Sequence, residues 1–176
     1  MTQTNTPNAL TFEAAIAQTQ SLITQMEAGS LAEADLQAAL AGLVSSENGA
    51  RGFFVTYLTD ERTLADHPTA AVVQALQTSP EIVSELLVKN LAMSSAMAIA
   101  HRRNGDADMA QGSDRVKRRT AHLIHLLQLP QLQEKASQLL HSVTCGGGVY
   151  QTFLDRWGYD DEQRKAIQAA IAQVIQ

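Results

Sequence analysis

The chain has 176 residues, a formal net charge of −5 at pH 7 and a single cysteine. Apolar residues make up 45% of it, which excludes global disorder, and one cysteine excludes an internal disulfide. The acidic balance argues against a general nucleic-acid coat, although it leaves room for a local basic patch. The first ten residues lack the basic start and apolar run of a signal peptide, so we expect a cytoplasmic protein.

The first half of the chain reads as a series of helices, because Ala, Gln, Leu and Glu dominate and β-branched residues are sparse. A helix is predicted from about Phe12 to Glu27, with Thr11 as its N-cap and Gly29 at its end. Ser30 and Glu33 have the spacing of a capping box that would open the second helix. The stretch "FFVTYL" at 53–58 is predicted as a short helix, and another short helix follows Pro68.

The second half begins with a strong helix start at Ser79, Pro80 and Glu81, and this helix should continue to about Arg103. The polar stretch "NGDADMAQGS" at 104–113 is predicted to be a loop. Further helices are predicted at 114–128, 131–144, 149–157 and 161–175. The sequence therefore predicts an all-α fold, with about eight helices in a single domain over residues 1–176.

The long predicted helix carries more apolar surface than a solvent-exposed helix needs. Its uncharged run, Leu86 to Ala100 apart from Lys89, is shorter than the ~20 residues of a membrane span, so we expect no membrane insertion. The four residues of one face have the spacing of a helix–helix seam: Leu86, Asn90, Met93 and Met97. They are the candidates for a homodimer interface, and the alternative is that this helix lies at the centre of a monomer.

The chain resembles itself when it is shifted by 96 positions. The segment "GFFVTYL" at 52–58 aligns with "GVYQTFL" at 148–154. This indicates a possible duplication of two four-helix halves, 11–78 and 114–176, bridged by the helix at 80–103. Because "NGARG" at 48–52 and "CGGG" at 145–148 occupy matching places, we predict a glycine elbow between helices in both halves.

The segment from Thr11 to Leu31 resembles the opening helix of the exonuclease VII small subunit. The residues that carry the resemblance are Phe12, Glu13, Ala15, Glu27, Gly29 and Leu31. The resemblance covers about an eighth of the chain, and nothing after Leu36 follows the pattern of that family. It implies a helix here, and we take no function from it.

Catalytic and metal motifs are sparse. Cys145 and His141 have the spacing of a thiol and its base, but no third group is evident, so we read Cys145 as a small buried residue at a helix end. His122 and His125 have a permissible ligand spacing without a supporting motif. We therefore predict no enzyme activity, no metal and no cofactor.

A basic cluster, defined here as residues 102–125, holds six of the thirteen basic residues. On a helix, Arg115, Arg118, His122 and His125 share one stripe, which could bind phosphate groups. The full set of candidates for anion binding is Arg102, Arg103, Arg115, Arg118, Arg119, His122 and His125. The alternative is a solvated face paired with acids, and no aromatic residue is interleaved to stack on bases.

The leading functional prediction is a non-enzymatic helical protein-interaction module that associates with itself. The alternative is a protein that binds an anion or nucleic acid through the basic cluster. A nucleic acid or a phosphorylated ligand ranks below a protein partner, and the sequence does not identify that partner.

Overall fold

The computed structural model describes residues 9–175, and the described chain forms nine α-helices, one 3₁₀ turn and no strand. The predicted all-α single domain is confirmed. Residues 1–8 and residue 176 lie outside the described residues. Residues 1–8 include most of the N-terminal stretch in which the sequence shows no signal-peptide pattern. The helices are α1 (Phe12–Ala28), α2 (Glu33–Val44), α3 (Glu47–Thr59), α4 (Ala70–Gln77), α5 (Pro80–Arg103), α6 (Ala107–Leu127), α7 (Pro130–Cys145), α8 (Gln151–Trp157) and α9 (Asp161–Ala172), with the 3₁₀ turn at Thr63–Ala65.

Helix α5 is the centre of the fold, which is one of the two arrangements that the sequence left open. It packs against α6, α9 and α7, and more lightly against α3 and α4. Its side chains Val83, Leu87, Leu91 and Ala96 are buried in the core. A proline in its first turn suits the helix start, since its missing N–H would have no intrahelical partner there.

Helix α5 is also the one helix of the described chain that could cross a membrane by length and composition alone. Within its most apolar window, 56% of the residues are buried inside the protein. The core helix of a folded domain meets the same criteria, and the packing of α5 explains its composition without a bilayer.

The predicted glycine elbow in the first half is wrong. Gly49 and Gly52 lie inside α3, and the chain turns before them, at Ser45 and Ser46. Gly52 is required because α1 crosses α3 there: a Cβ at this position would lie 2.5 Å from the Cβ of Ala15. In the second half, by contrast, residues 146–148 form a loop in which all three glycines have positive φ.

Two predicted boundaries are also corrected. Helix α6 begins at Ala107, so most of the predicted loop at 104–113 is helical; the Asp106 side chain caps it by accepting from the Met109 amide at 3.0 Å. Helix α2 has Ala32 at its N-cap, with no side-chain cap, so the expected Ser30 capping box is absent.

The two halves share an order of elements but differ in packing. Helix α2 packs on α4, and α7 packs on α9. Helix α1 packs mainly on α3, whereas α6, which would be its counterpart, packs mainly on α5. The duplication therefore stays a prediction.

Candidate functional site: a groove along α5

Arg119, one of the anion-binding candidates, is buried and serves the fold. Its side chain is 2% exposed, and its guanidinium donates to the carbonyl oxygens of Leu58 (3.0 Å), Asp60 (2.7 Å) and Arg62 (2.8 Å). It also donates to both carboxylate oxygens of Asp66, at 2.9 and 2.8 Å. The carbonyls at a helix C-terminus lack intrahelical partners, and Arg119 satisfies those at the end of α3. It is not available to an external anion, which corrects the sequence-based expectation.

The neighbouring arginines of the basic cluster are paired with acids. Arg102 binds Asp114, and Arg118 lies 3.5 Å from Asp66. The Arg119 hydrogen bonds, helped by Arg118, hold the pKa of Asp66 down at about 2.

Arg103, at the end of α5, binds Asp160 and Glu162 at the start of α9. This pairing lowers the pKa of Asp160 to about 2. Most arginines of the basic cluster therefore fasten one helix to another.

The remaining candidates of the basic cluster are His122, His125 and Arg115, which share one side of α6. His122 and His125 are exposed on α6. Arg115 is half-buried, and its side chain donates a hydrogen bond to the Thr59 carbonyl at 3.4 Å. The structure does not bring the seven candidates together into one anion site.

Cys145 is exposed at the end of α7, so the expectation of a buried cysteine is wrong. His141 is exposed one turn earlier. The glycine loop separates both residues from α8, and Ser142 fastens this loop by accepting a hydrogen bond from the Tyr150 amide at 3.2 Å. Among residues 9–175 no group of three His, Cys, Asp or Glu side chains could hold a metal ion.

The four candidates for a helix–helix seam lie along a continuous surface groove, which we call the α5 groove. Leu86, Asn90 and Met93 are half-buried on its floor, and Met97 is 39% exposed at one end. The groove consists of two adjoining hollows of about 530 and 550 Å³, which share Asn90, Met93 and two wall residues. From Leu86 to Met97 the floor extends for about three turns, roughly 17 Å.

The walls of the α5 groove come from helices that are distant in sequence. Val55 of α3 lines one part, Phe153 and Trp157 of α8 line the end near Leu86, and Met109 of α6 lines the end near Met97. These walls carry unusually exposed apolar side chains: 45% for Val55, 53% for Met109 and 51% for Trp157. With Met97, four of the six large apolar side chains exposed in the described chain line this one groove.

The end of the groove near Leu86 is fixed by polar contacts below its rim. Lys89 pairs with Glu85 at 2.7 Å and lies over the Phe153 ring, 5.7 Å from its centroid. Tyr150 donates a hydrogen bond to Glu85 at 2.8 Å. Burial acts to raise the pKa of Glu85, but the bonds from Lys89 and Tyr150 outweigh it and the pKa is lowered. This network ties α8 to α5 and so holds the Trp157 wall in place.

Sequence reasoning found the floor of the groove but missed its walls. Val55 lies within the "FFVTYL" helix, and Met109 lies in a stretch that was predicted to be a loop. A signal was present for Trp157, the only tryptophan of the chain, which stands among charged and polar residues near the end of its helix.

Comparison with known proteins gives one match. The family model described as "Uncharacterised conserved protein UCP020893" matches residues 11–174, and the chain belongs to that family. No curated protein and no solved structure matches the chain.

Proposed function

For this member of the family, we propose a role as a helical protein-interaction module whose α5 groove binds an amphipathic helix of a partner protein. The observation that carries the proposal is the concentration of exposed apolar side chains along the groove. Contiguous apolar surface on a folded domain is costly to leave in water and is typical of interaction sites. The groove is open and about three turns long, the geometry in which an amphipathic helix presents anchors at i, i+4 and i+7.

The side chains of the groove suit a helix more than a compact ligand. Met93, Met97 and Met109 contribute three of the five methionines of the chain, and methionine adapts to apolar partners of differing shape. The polar side chains on the floor are Lys89, Asn90 and Ser94, and they lie between apolar ones. A small ligand held in either hollow would leave the other uncovered, whereas a helix would cover both.

A homodimer is the special case in which the partner helix comes from a second copy. Leu86, Asn90 and Met93 lie below the rim, so two α5 helices cannot simply meet face to face. A second copy would have to insert one of its own helices into the groove. The proposal places this module in the cytoplasm and assigns it no catalytic role. The anion-binding alternative ranks below this one, because the arginines of the basic cluster are largely paired with acids.

Trp157 offers a direct test, because it is the only tryptophan and stands on the groove wall. An amphipathic peptide of about four turns, with leucine or methionine at i, i+4, i+7 and i+11, should shift the Trp157 emission to the blue as it excludes water from the indole. The shift should saturate with peptide concentration.

The matched variants are Val55→Asp and Leu126→Asp. Both side chains are exposed, at 45% and 39%, but only Val55 lines the groove. Val55→Asp should lower the affinity for the peptide at least tenfold, because it buries a carboxylate in the interface. Leu126→Asp should leave the affinity unchanged. Equal effects of the two substitutions, or no saturable shift, would contradict the proposal.

A further inference from the structure

The basic residues of the chain divide clearly by their partners. Nine of the thirteen form an ion pair with an acid of the described chain: Arg62, Lys89, Arg102, Arg103, Lys117, Arg118, Arg119, Lys135 and Arg164. Four make no such ion pair among residues 9–175: Arg51, Arg115, Arg156 and Lys165. Three of these four line the α5 groove, and only Lys165 lies elsewhere. The cationic charge that remains available is therefore concentrated at the groove.

The available charge is not spread evenly along the groove. Arg51 on α3 and Arg156 on α8 both line the hollow near Leu86. Lys89 and Glu47 line the same hollow, so this end keeps an excess of positive charge. Arg51 lies over the Phe12 ring, 5.3 Å from its centroid, an arrangement that leaves the edge of a guanidinium free to donate.

The opposite end of the groove has a different balance. Arg115 lines it together with Glu61 and Asp108, so its cation stands among carboxylates. A ligand with one kind of charge along its whole length would suit one end and not the other.

We propose that the partner helix is acidic at one end, where carboxylates flanking its apolar stripe pair with Arg51 and Arg156. This inference rests on the proposed function and names the chemistry of the partner. A guanidinium is a planar fork of donors that matches a carboxylate, so two such groups at one end of an apolar groove select for Asp or Glu. The net charge of −5 would repel an acidic partner as a whole, so the attraction is local to this end.

Three peptides of about four turns test the inference. They share one apolar stripe and differ only at the positions that flank it near one end, which carry Glu, Gln or Lys. Binding is measured by the anisotropy of a dye on the peptide, at low salt and at about 0.5 M salt. The Glu peptide should bind about fivefold more tightly than the Gln peptide, and the Lys peptide more weakly than both. The differences should shrink at high salt, because exposed ion pairs are screened.

The matched variants are Arg156→Glu and Lys165→Glu, which make the same change of charge at two residues that lack an ion pair within the described chain. Arg156→Glu should abolish the preference for the Glu peptide, because Arg51 and Lys89 are then balanced by Glu47 and the introduced carboxylate. Lys165→Glu, on α9 and away from the groove, should keep the original order.

Each other outcome overturns the inference. If the three peptides bind equally and Val55→Asp weakens all of them, the groove binds helices without regard to charge, and the proposed function survives alone. If no peptide binds at about 1 mM, both proposals fail. If light scattering shows a dimer that Val55→Asp dissociates and that excludes the peptides, the occupant is a second copy. Binding to anionic lipid vesicles in place of the peptides would also refute an acidic helix.

Discussion

Replacing Arg119 with methionine removes the contact that fastens α6 to the end of α3. The substitution keeps the length of the apolar stem but deletes five hydrogen bonds, two to Asp66 and three to the carbonyls of Leu58, Asp60 and Arg62. Removing one partner of a buried ion pair typically costs about 3–5 kcal/mol. The Asp66 side chain is 24% exposed and can regain water, so we expect the lower value, about 3 kcal/mol. That is a large part of the ~5–15 kcal/mol that stabilises a typical domain.

The control for this change is Arg118→Met, one residue earlier on the same helix. Arg118 is exposed and reaches Asp66 at 3.5 Å, so its loss should cost less than about 1 kcal/mol. Urea unfolding followed by helical circular dichroism at neutral pH gives both free energies, provided that the urea dependence stays the same. If Arg119→Met cost no more free energy of unfolding than Arg118→Met, the buried network would not be what holds α6 to α3.

Three further predictions follow from individual contacts. The pKa of Asp66 is about 2 in the folded protein, against an ordinary 3.8. The ionised carboxylate therefore contributes its full stability above about pH 4, and this contribution is lost as the pH falls towards 2. In Asp66→Asn the free energy of unfolding should no longer show this loss between about pH 4 and pH 2. Gly52→Ala should lower the free energy of unfolding by about 1–2 kcal/mol, because the added methyl group would meet α1. Gly42→Ala in α2, where the space around the residue is open, should raise the free energy of unfolding by about 0.5–1 kcal/mol, and thermal or urea unfolding measures both. Cys145→Ser should leave the melting temperature unchanged, and the exposed thiol should react with a labelling reagent as fast in the folded protein as after unfolding; slow labelling of the folded protein would contradict this.

Long segments with a clear apolar period were predictable, whereas their boundaries depended on competition between neighbouring residues. Helix α5 begins at Pro80 and ends at Arg103, as the sequence predicts. Ser30 does not cap α2, because that helix begins at Glu33 with Ala32 as its N-cap. The amide and the hydroxyl of Ser30 both donate to the Gln25 carbonyl, at 3.1 and 3.4 Å, so Ser30 closes α1, and the sequence does not show which of the two helix ends it serves.

The glycines show a second limit of sequence reasoning. Gly52 and Gly148 occupy matching places in the proposed duplication, and we expected one cause for both. The structure shows two causes: Gly52 admits α1 against α3, while Gly148 has φ of +77° in a loop beside Ser142. A close approach and a backbone conformation both select glycine, and only the packing of other helices separates them.

Only the floor of the candidate site could be predicted from the sequence, for a related reason. The floor of the α5 groove lies on one helix, so its three-four spacing could be read directly from Leu86 to Met97. The walls come from α3, α6 and α8, and nothing in the spacing of Val55, Met109 and Trp157 along the chain indicates that they meet. The opposite error arose for charge: residues 102–119 are crowded with cations in sequence, but in space most of these cations are paired with acids from other helices.

The distribution of apolar and charged groups along the groove assigns them different tasks. The methionine side chains of the wall and floor can pack favourably against almost any apolar side chain. They therefore discriminate poorly between partners or between the two directions of one helix. Arg51 and Arg156 stand at only one end, and an apolar stripe that enters the groove backwards would place its acidic end beside Glu61 and Asp108. Like charges that face each other across an interface cost free energy, so the reversed helix is disfavoured. On the proposed mode of binding, the apolar side chains therefore provide most of the affinity, and the two arginines select the orientation and the partner.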